Sequence, residues 1–351
     1  MGKRRNRFRD SWREAFSIPL KITDDQRLGD VKKGHDAAED GVGLFFFDQK
    51  DSASPLEADV VEGYCLGTSP EDVKNGKGPA GSHRNVWLDA RHSFPGVEAG
   101  AKREYENPLT ATGLLRALEQ QQFNHEELPD ATRRLIYISD LSPDCIHALA
   151  ATVSLLHAPA LQNAIYRHLA FRPSIAVKIE SVGFLRFQLE LHLPFFILGK
   201  SPPPAKTCGT VKTKPDRAWK DVSFLKLDTF DTSIQPSEPT EVWGLQEAQV
   251  SFVIAGTDDW RWTAYGFVDT EVDGLLTDAT EDELGFDQIA GGEEEAKYPI
   301  WGPRDYFVRV AEVRIKRIKQ NYENLMHKLN LAFEQYVCDQ AIPHPPPKCN
   351  H

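Results

Sequence analysis

Three short patterns in this chain carry residue types that chemistry could use. Gly76-Lys77-Gly78-Pro79-Ala80-Gly81 spells G-x-G-x-x-G. Such a loop cradles a pyrophosphate when a strand leads into it and a helix starts within it, so that helix N–H groups face the anion. Glu71 to Asn75 does not read as a strand, and Pro79 with Ser82-His83 does not open a helix, so the context predicts a plain loop. Asp269-Thr270-Glu271-Val272-Asp273-Gly274 matches the opening of a calcium-binding EF-hand loop. The bidentate Glu that closes such a loop should fall at Thr280, and Glu281 is one place late. The flanks read as strand and loop, so a solvated acidic segment is expected there. His147, His157 and His168 share one helical stretch, but the Ala158-Pro159 break removes any common face. Asp258 and Asp259 are adjacent on a turn and need not converge. With no nucleophile elbow, Walker A loop, H-E-x-x-H or kinase signature, the sequence predicts no enzyme, no cofactor and no metal site.

Charge is the next signal. Lys3, Arg4, Arg5, Arg7 and Arg9 make the N-terminus a basic arm, readable as a nuclear-import signal, a nucleic-acid contact or a solvated terminus. The formal net charge is −11, and the stretch from Asp269 to Glu295 holds eleven acidic residues and no Lys or Arg, which accounts for all of it. Global acidity therefore says little about partners. Five cysteines, at 65, 145, 208, 338 and 349, are odd in number and far apart, which suggests reduced thiols in an intracellular compartment. No apolar run approaches the ~20 residues a membrane helix needs. A soluble protein of the nucleus, or else of the cytoplasm, is the expectation.

The elements that must position these residues centre on Ser142 to Phe196. Ser142-Pro143-Asp144 opens a helix with an N-cap side chain and a Pro at the first position. The helical run breaks near Ala158-Pro159-Ala160 and resumes through Leu169. Then the periodicity switches to two: Ile175, Val177 and Ile179 alternate with Ala176, Lys178 and Glu180, and after Gly183 Leu185, Phe187, Leu189 and Leu191 alternate with Arg186, Gln188, Glu190 and His192. This predicts a helical hairpin feeding a β-hairpin with one wet face. A second hairpin is expected from Ala248 to Ile254, a turn at Gly256 to Asp259, and a return strand from Trp260 to Asp269 whose aromatics read as core. Further elements are a helix over Ala111 to Gln122 and strands over Arg134 to Ser139, Val86 to Asp89 and Leu44 to Phe47. From Arg304 to Val337, Ala311, Ile315, Ile318, Tyr322, Leu325, Leu329, Ala332 and Tyr336 recur at alternating intervals of four and three, the spacing of a coiled-coil seam. Ile315, Ile318, Tyr322, Leu325 and Leu329 are thus candidates for a partner or oligomer surface, although the sequence favours a stripe that packs along the protein's own sheet.

These elements predict an α+β fold: an antiparallel sheet of at least two hairpins, packed on a helical hairpin and a long C-terminal amphipathic helix. The expected organisation is a disordered arm over 1–16, a loop-rich extension over 17–109, a core domain over 110–340 with insertions at 199–220 and 270–297, and a Pro-rich tail over 341–351.

Several strings resemble a fungal family of uncharacterised proteins. They are Pro173-Ser174-Ile175 leading into Phe187 to Pro194, Glu247 to Ser251, Asp258-Asp259-Trp260-Arg261-Trp262-Thr263-Ala264-Tyr265, Phe267 to Thr270, and Pro299 to Phe307. Longer members of that family are similar, beyond this region, to the membrane part of CorA-type magnesium channels. This chain lacks the matching transmembrane pair, so the resemblance implies no ion transport and transfers no catalytic residue. The function expected is a non-enzymatic fungal regulatory protein of the nucleus that acts through macromolecular contacts: a protein partner, nucleic acid through the basic arm, or a second copy through the long helix. The alternative is a CorA-related sensor whose acidic segment binds divalent cations weakly.

Overall fold

The computed structural model describes residues 12, 15–17, 55–94, 97–180, 185–201, 212–227, 242–270 and 285–341. Lys3, Arg4, Arg5, Arg7, Arg9, the strand expected at Leu44 to Phe47, most of the acidic segment and the Pro-rich tail lie outside them. The chain forms two compact units. One comprises residues 1–194, 209–216 and 248–314, and the other 195–208, 217–247 and 315–351.

Runs of helices and runs of strands follow one another along the described chain, as in an α+β protein. Three helices, α1 (Pro55–Cys65), α2 (Pro70–Asn75) and α3 (Pro79–Ser82), precede β1 (Arg84–Phe94), β2 (Val97–Lys102) and β3 (Leu109–Thr110). Then come α4 (Ala111–Glu119), β4 (Arg133–Ser139), α5 (Pro143–Thr152) and α6 (Ala158–Leu169). The hairpin β5 (Ser174–Glu180) and β6 (Arg186–Ser201) follows, then β7 (Trp219–Asp221), β8 (Val242–Gly256), β9 (Trp262–Val268) and α7 (Pro303–Ala341). One nine-stranded sheet runs β2-β1-β4-β9-β8-β6-β5, with β3 against β1 and β7 against β8. The sheet is mixed: β4 and β9 pair in parallel, Leu135 opposite Ala264 and Ile138 opposite Phe267. Both expected hairpins form, with Val177 opposite Leu189 in one and Phe252 opposite Gly266 in the other. The return strand begins at Trp262, however, and Trp260, expected in the core, is 53 % exposed on the turn.

Local sequence sets the helix ends. Ser142 caps α5 by accepting from Cys145 N, and Thr110 caps α4 by accepting from Gly113 N. Pro159 sits in the first turn of α6 rather than inside a broken helix, since a residue without an N–H fits where no partner carbonyl exists. In the first unit, α1, α2 and α4 to α6 lay Val61, Leu114, Leu118, Ile146, Leu149, Leu161 and Ile165 over one sheet face formed by Leu88, Ile138, Val253 and Phe267. The opposite face carries Phe252 and Trp262, met by Tyr306 and Phe307 from the first turns of α7.

Four further expectations are corrected. The stretch over 17–109 supplies β1, which pairs with β2, β3 and β4 in the sheet, so it is not only a loop-rich extension. Near the end of the basic arm, Trp12 and Phe16 are buried against Phe187, and Trp12 donates from Nε1 to Asp259 Oδ1. The glycine-rich stretch closes one short helix, α2, and opens another, α3, at Pro79. Gly76 closes α2 in the left-handed conformation, and a Cβ on Gly81 would meet Gly76 O at 2.1 Å. The loop is thus tightly folded, held by Thr112 Oγ1 donating to the carbonyls of Val73 and Ala80. Finally, the wet face of the first hairpin is dry where it matters. Glu190 and His192 are buried, while Ile175 on the edge strand β5 is 71 % exposed. Alternation reads the period of a strand but not whether a second layer covers its polar side.

Candidate functional site

The covered polar side of β6 brings together side chains the sequence scatters over about a hundred positions. His192 on β6, Ser251 and Gln249 on β8, His168 at the end of α6, and Asp269 just past β9 all sit in the first unit. Ser251 Oγ lies 3.0 Å from His168 Nδ1 and 2.9 Å from His192 Nδ1. Gln249 Nε2 donates to the same oxygen at 3.2 Å. His168 Nε2 faces Asp269 Oδ1 at 3.3 Å, and Gln249 N donates to Asp269 Oδ2 at 2.7 Å.

The hydrogen-bond inventory of a hydroxyl fixes the protons. Ser251 has one O–H to give and two lone pairs to fill, and Gln249 fills one of them. One histidine must therefore accept and the other donate. With Nε2–H of His168 given to Asp269, its Nδ1 is a lone pair that takes the Ser251 O–H. His192 then donates Nδ1–H to Ser251, and its Nε2 is left as a buried acceptor with no partner. Burial, with His168 and the positive charges of Arg167 and Lys178 adding to it, pushes His192 down to about 3, so the ring is neutral at physiological pH.

Ser251, His168 and Asp269 have the composition of a hydrolytic triad, and the order of contacts is serine to imidazole to carboxylate. Their setting differs from an active site. Ser251 and His168 are 0 % and Asp269 1 % exposed, and cavities beside Arg134, beside Phe123 and beside Lys178 do not reach them. One such cavity, of about 30 Å³, lies by Arg134, Ser154, His157 and Thr263, which is room for water rather than a substrate. The cluster holds α6 on the sheet. Glu190 beside it does the same work: its carboxylate accepts from Asn163, Ser174, Lys178 and Gln188. A third buried set ties β1, β4 and the segment before α7. Arg133 bonds Asp89 at 2.8 Å and stands 3.6 Å from Asp287, whose carboxylate also accepts from Tyr306 at 2.7 Å. Burial raises the Asp287 carboxyl in spite of Arg133.

The residues singled out in the sequence are placed as follows. His147 Nε2 sits 3.1 Å from Thr68 Oγ1, apart from His168, so the histidines do not form one site. Asp258 accepts the N–H groups of Trp260 and Arg261 within its own turn, while Asp259 takes Trp12. Asp269, first residue of the acidic pattern, points inward to His168 and Gln249, which withdraws it from cation binding. Among the described residues no group of three or more His, Cys, Asp or Glu is arranged to hold a metal ion.

The seam on α7 is divided. Within the second unit, Ala332 packs on a small core of Val222, Leu227 and Trp243, and Lys328 Nζ lies 4.0 Å from the centre of the Trp243 ring. Ile318, Leu325 and Leu329 are half-buried, whereas Ile315 and Tyr322 are exposed. Exposed with them are Met326, Phe333 at 68 %, Tyr336 and Val337. At 3.6 residues per turn, Ile315, Tyr322, Met326, Phe333 and Val337 fall within an arc of about 60° on one side of the helix. The apolar arc is wider than the small core beneath it can cover. Met326, Phe333 and Val337 were missed in the sequence because a strict four-three count leaves them out.

Among the described residues no helix is long and apolar enough to cross a membrane. No family model, curated protein or solved structure matches the chain.

Proposed function

We propose that this chain is a non-enzymatic fungal regulatory protein of the nucleus that works by binding other macromolecules. The exposed apolar side of α7 carries the reading. Five large apolar side chains over more than six turns of helix, flanked by charge, form a surface of the kind that takes a partner helix. The basic arm of Lys3, Arg4, Arg5, Arg7 and Arg9 supplies the address, and the resemblance to the fungal family supplies the source. Ser251, His168 and Asp269 favour a packing role over hydrolysis because each is spent on its neighbours under complete cover.

The test compares three forms in fungal cells: the intact chain, one with the five arm residues changed to alanine, and one carrying Met326→Ser and Phe333→Ser. Localisation and proximity labelling are read for each. Nuclear signal lost in the arm variant, with labelled neighbours lost in the helix variant, is the expected result. A cytoplasmic signal indifferent to the arm would overturn the nuclear part, and an unchanged set of neighbours would overturn the helix part.

A further inference from the structure

We infer that the exposed side of α7 pairs with the same side of a second copy of this chain, antiparallel and centred on Met326. The inference rests on reading that side as an interaction surface and names its occupant. Charge selects the occupant. One flank of the exposed arc is taken by the chain's own second unit, through Ala332 and through Lys328 over Trp243. The other flank is open and carries Lys316, Lys319, Glu323 and Glu334, all exposed. Its basic residues come early in the helix and Glu334 comes late, so the flank complements itself only when run in reverse. In an antiparallel pair the like flanks of two helices face each other, whereas a parallel pair would need the flank already used.

The register follows from the apolar residues. Ile315 and Val337 bound the exposed arc, about 33 Å apart along the axis, and Met326 lies midway. A twofold through Met326 sets Ile315 beside the second copy's Val337 and Lys319 beside its Phe333. Glu334 then comes level with residue 318 of the other chain, between Lys316 and Lys319. The Lys319 stem covers Phe333, and the ammonium groups of Lys316 and Lys319 reach Glu334, Lys319 exchanging its present partner Glu323. Every contact occurs twice, as in an isologous dimer.

Sedimentation of the full chain over a concentration series tests this. A reversible monomer–dimer equilibrium is expected for the wild type. Lys316→Glu with Lys319→Glu, or Glu334→Lys alone, should each weaken dimerisation by about tenfold or more, because the twofold doubles each rim pair. The three changes together should restore it. These residues are exposed, so the variants fold, and circular dichroism checks that they do. In a Cys338→Ser background, Met326→Cys should form an intermolecular disulfide on mild oxidation, because a residue on the axis meets its own copy. A chain that is monomeric at every attainable concentration overturns the inference. So does a dimer indifferent to the charge reversals, or one not restored by their combination. A monomer whose helix variant still loses its cellular neighbours would sink the self-pairing alone and leave the wider interaction reading intact.

Discussion

Acid should weaken this protein through His192 in a way one substitution can isolate. The ring is fully buried, donates from Nδ1 to Ser251 and has no partner at Nε2. Its folded-state pKa is about 3 against an ordinary 6.5. A depressed histidine stays neutral in the folded state while the unfolded chain takes up a proton, so stability is intact above 6.5 and falls as pH drops from 6.5 towards 3. At pH 5 the linkage amounts to about 2 kcal/mol relative to pH 7.5, from roughly 1.4 kcal/mol per unit of pH below 6.5. The titratable and charged groups acting on the ring are His168 and Arg167 on α6 and Lys178 on β5, and all of them remain when His192 is replaced. His192→Asn keeps a donor where Nδ1 stood and removes the titration. Urea unfolding of both proteins, followed by fluorescence and circular dichroism at pH 7.5 and pH 5, gives the difference directly. The variant should start lower at pH 7.5, because part of the ring volume is lost. It should then lose about 2 kcal/mol less than the wild type on acidification. Equal losses in the two proteins would show that His192 takes up its proton in the folded state, and the assignment of the Ser251 cluster would fall with it.

Two further substitutions probe the packing. Arg133→Met leaves Asp287 without a cation and Asp89 with Arg91 alone, and should cost about 3–5 kcal/mol, as breaking a buried ion pair does. Adding Asp287→Asn should return part of that, and a loss under 1 kcal/mol in the single variant would mean the carboxylates find other partners. Gly81→Ala drives a methyl into Gly76 O and should lower the melting temperature by several degrees. Gly63→Ala, inside α1 with open space around its Cβ position, should raise stability by up to about 1 kcal/mol. Similar shifts in both glycine variants would argue against a close approach of α2 and α3.

Much of the architecture was legible in the chain itself, because it rests on short-range physics. The N-cap at Ser142, the period-two runs of β5, β6 and β8, the buried aromatics Trp262, Tyr265 and Phe267, and the long helix all follow from steric and hydrophobic patterns a few residues wide. The parallel pairing of β4 with β9 did not, since the partners lie more than a hundred residues apart and nothing local distinguishes parallel from antiparallel edges. The same limit hid the functional geometry. Gln188, Glu190 and His192 read as solvated because their type is polar, and only the placing of α6 over β6 shows that Glu190 meets Asn163 and His192 meets Ser251 in a dry interior. Ser251, His168 and Asp269 carry no motif, because three elements far apart in the chain bring them together. Hydrophobic spacing determined that α7 has an apolar face. How much of that face the protein keeps for itself was decided by tertiary packing, because a core as small as Val222, Leu227 and Trp243 cannot cover an arc that also holds Met326 and Phe333.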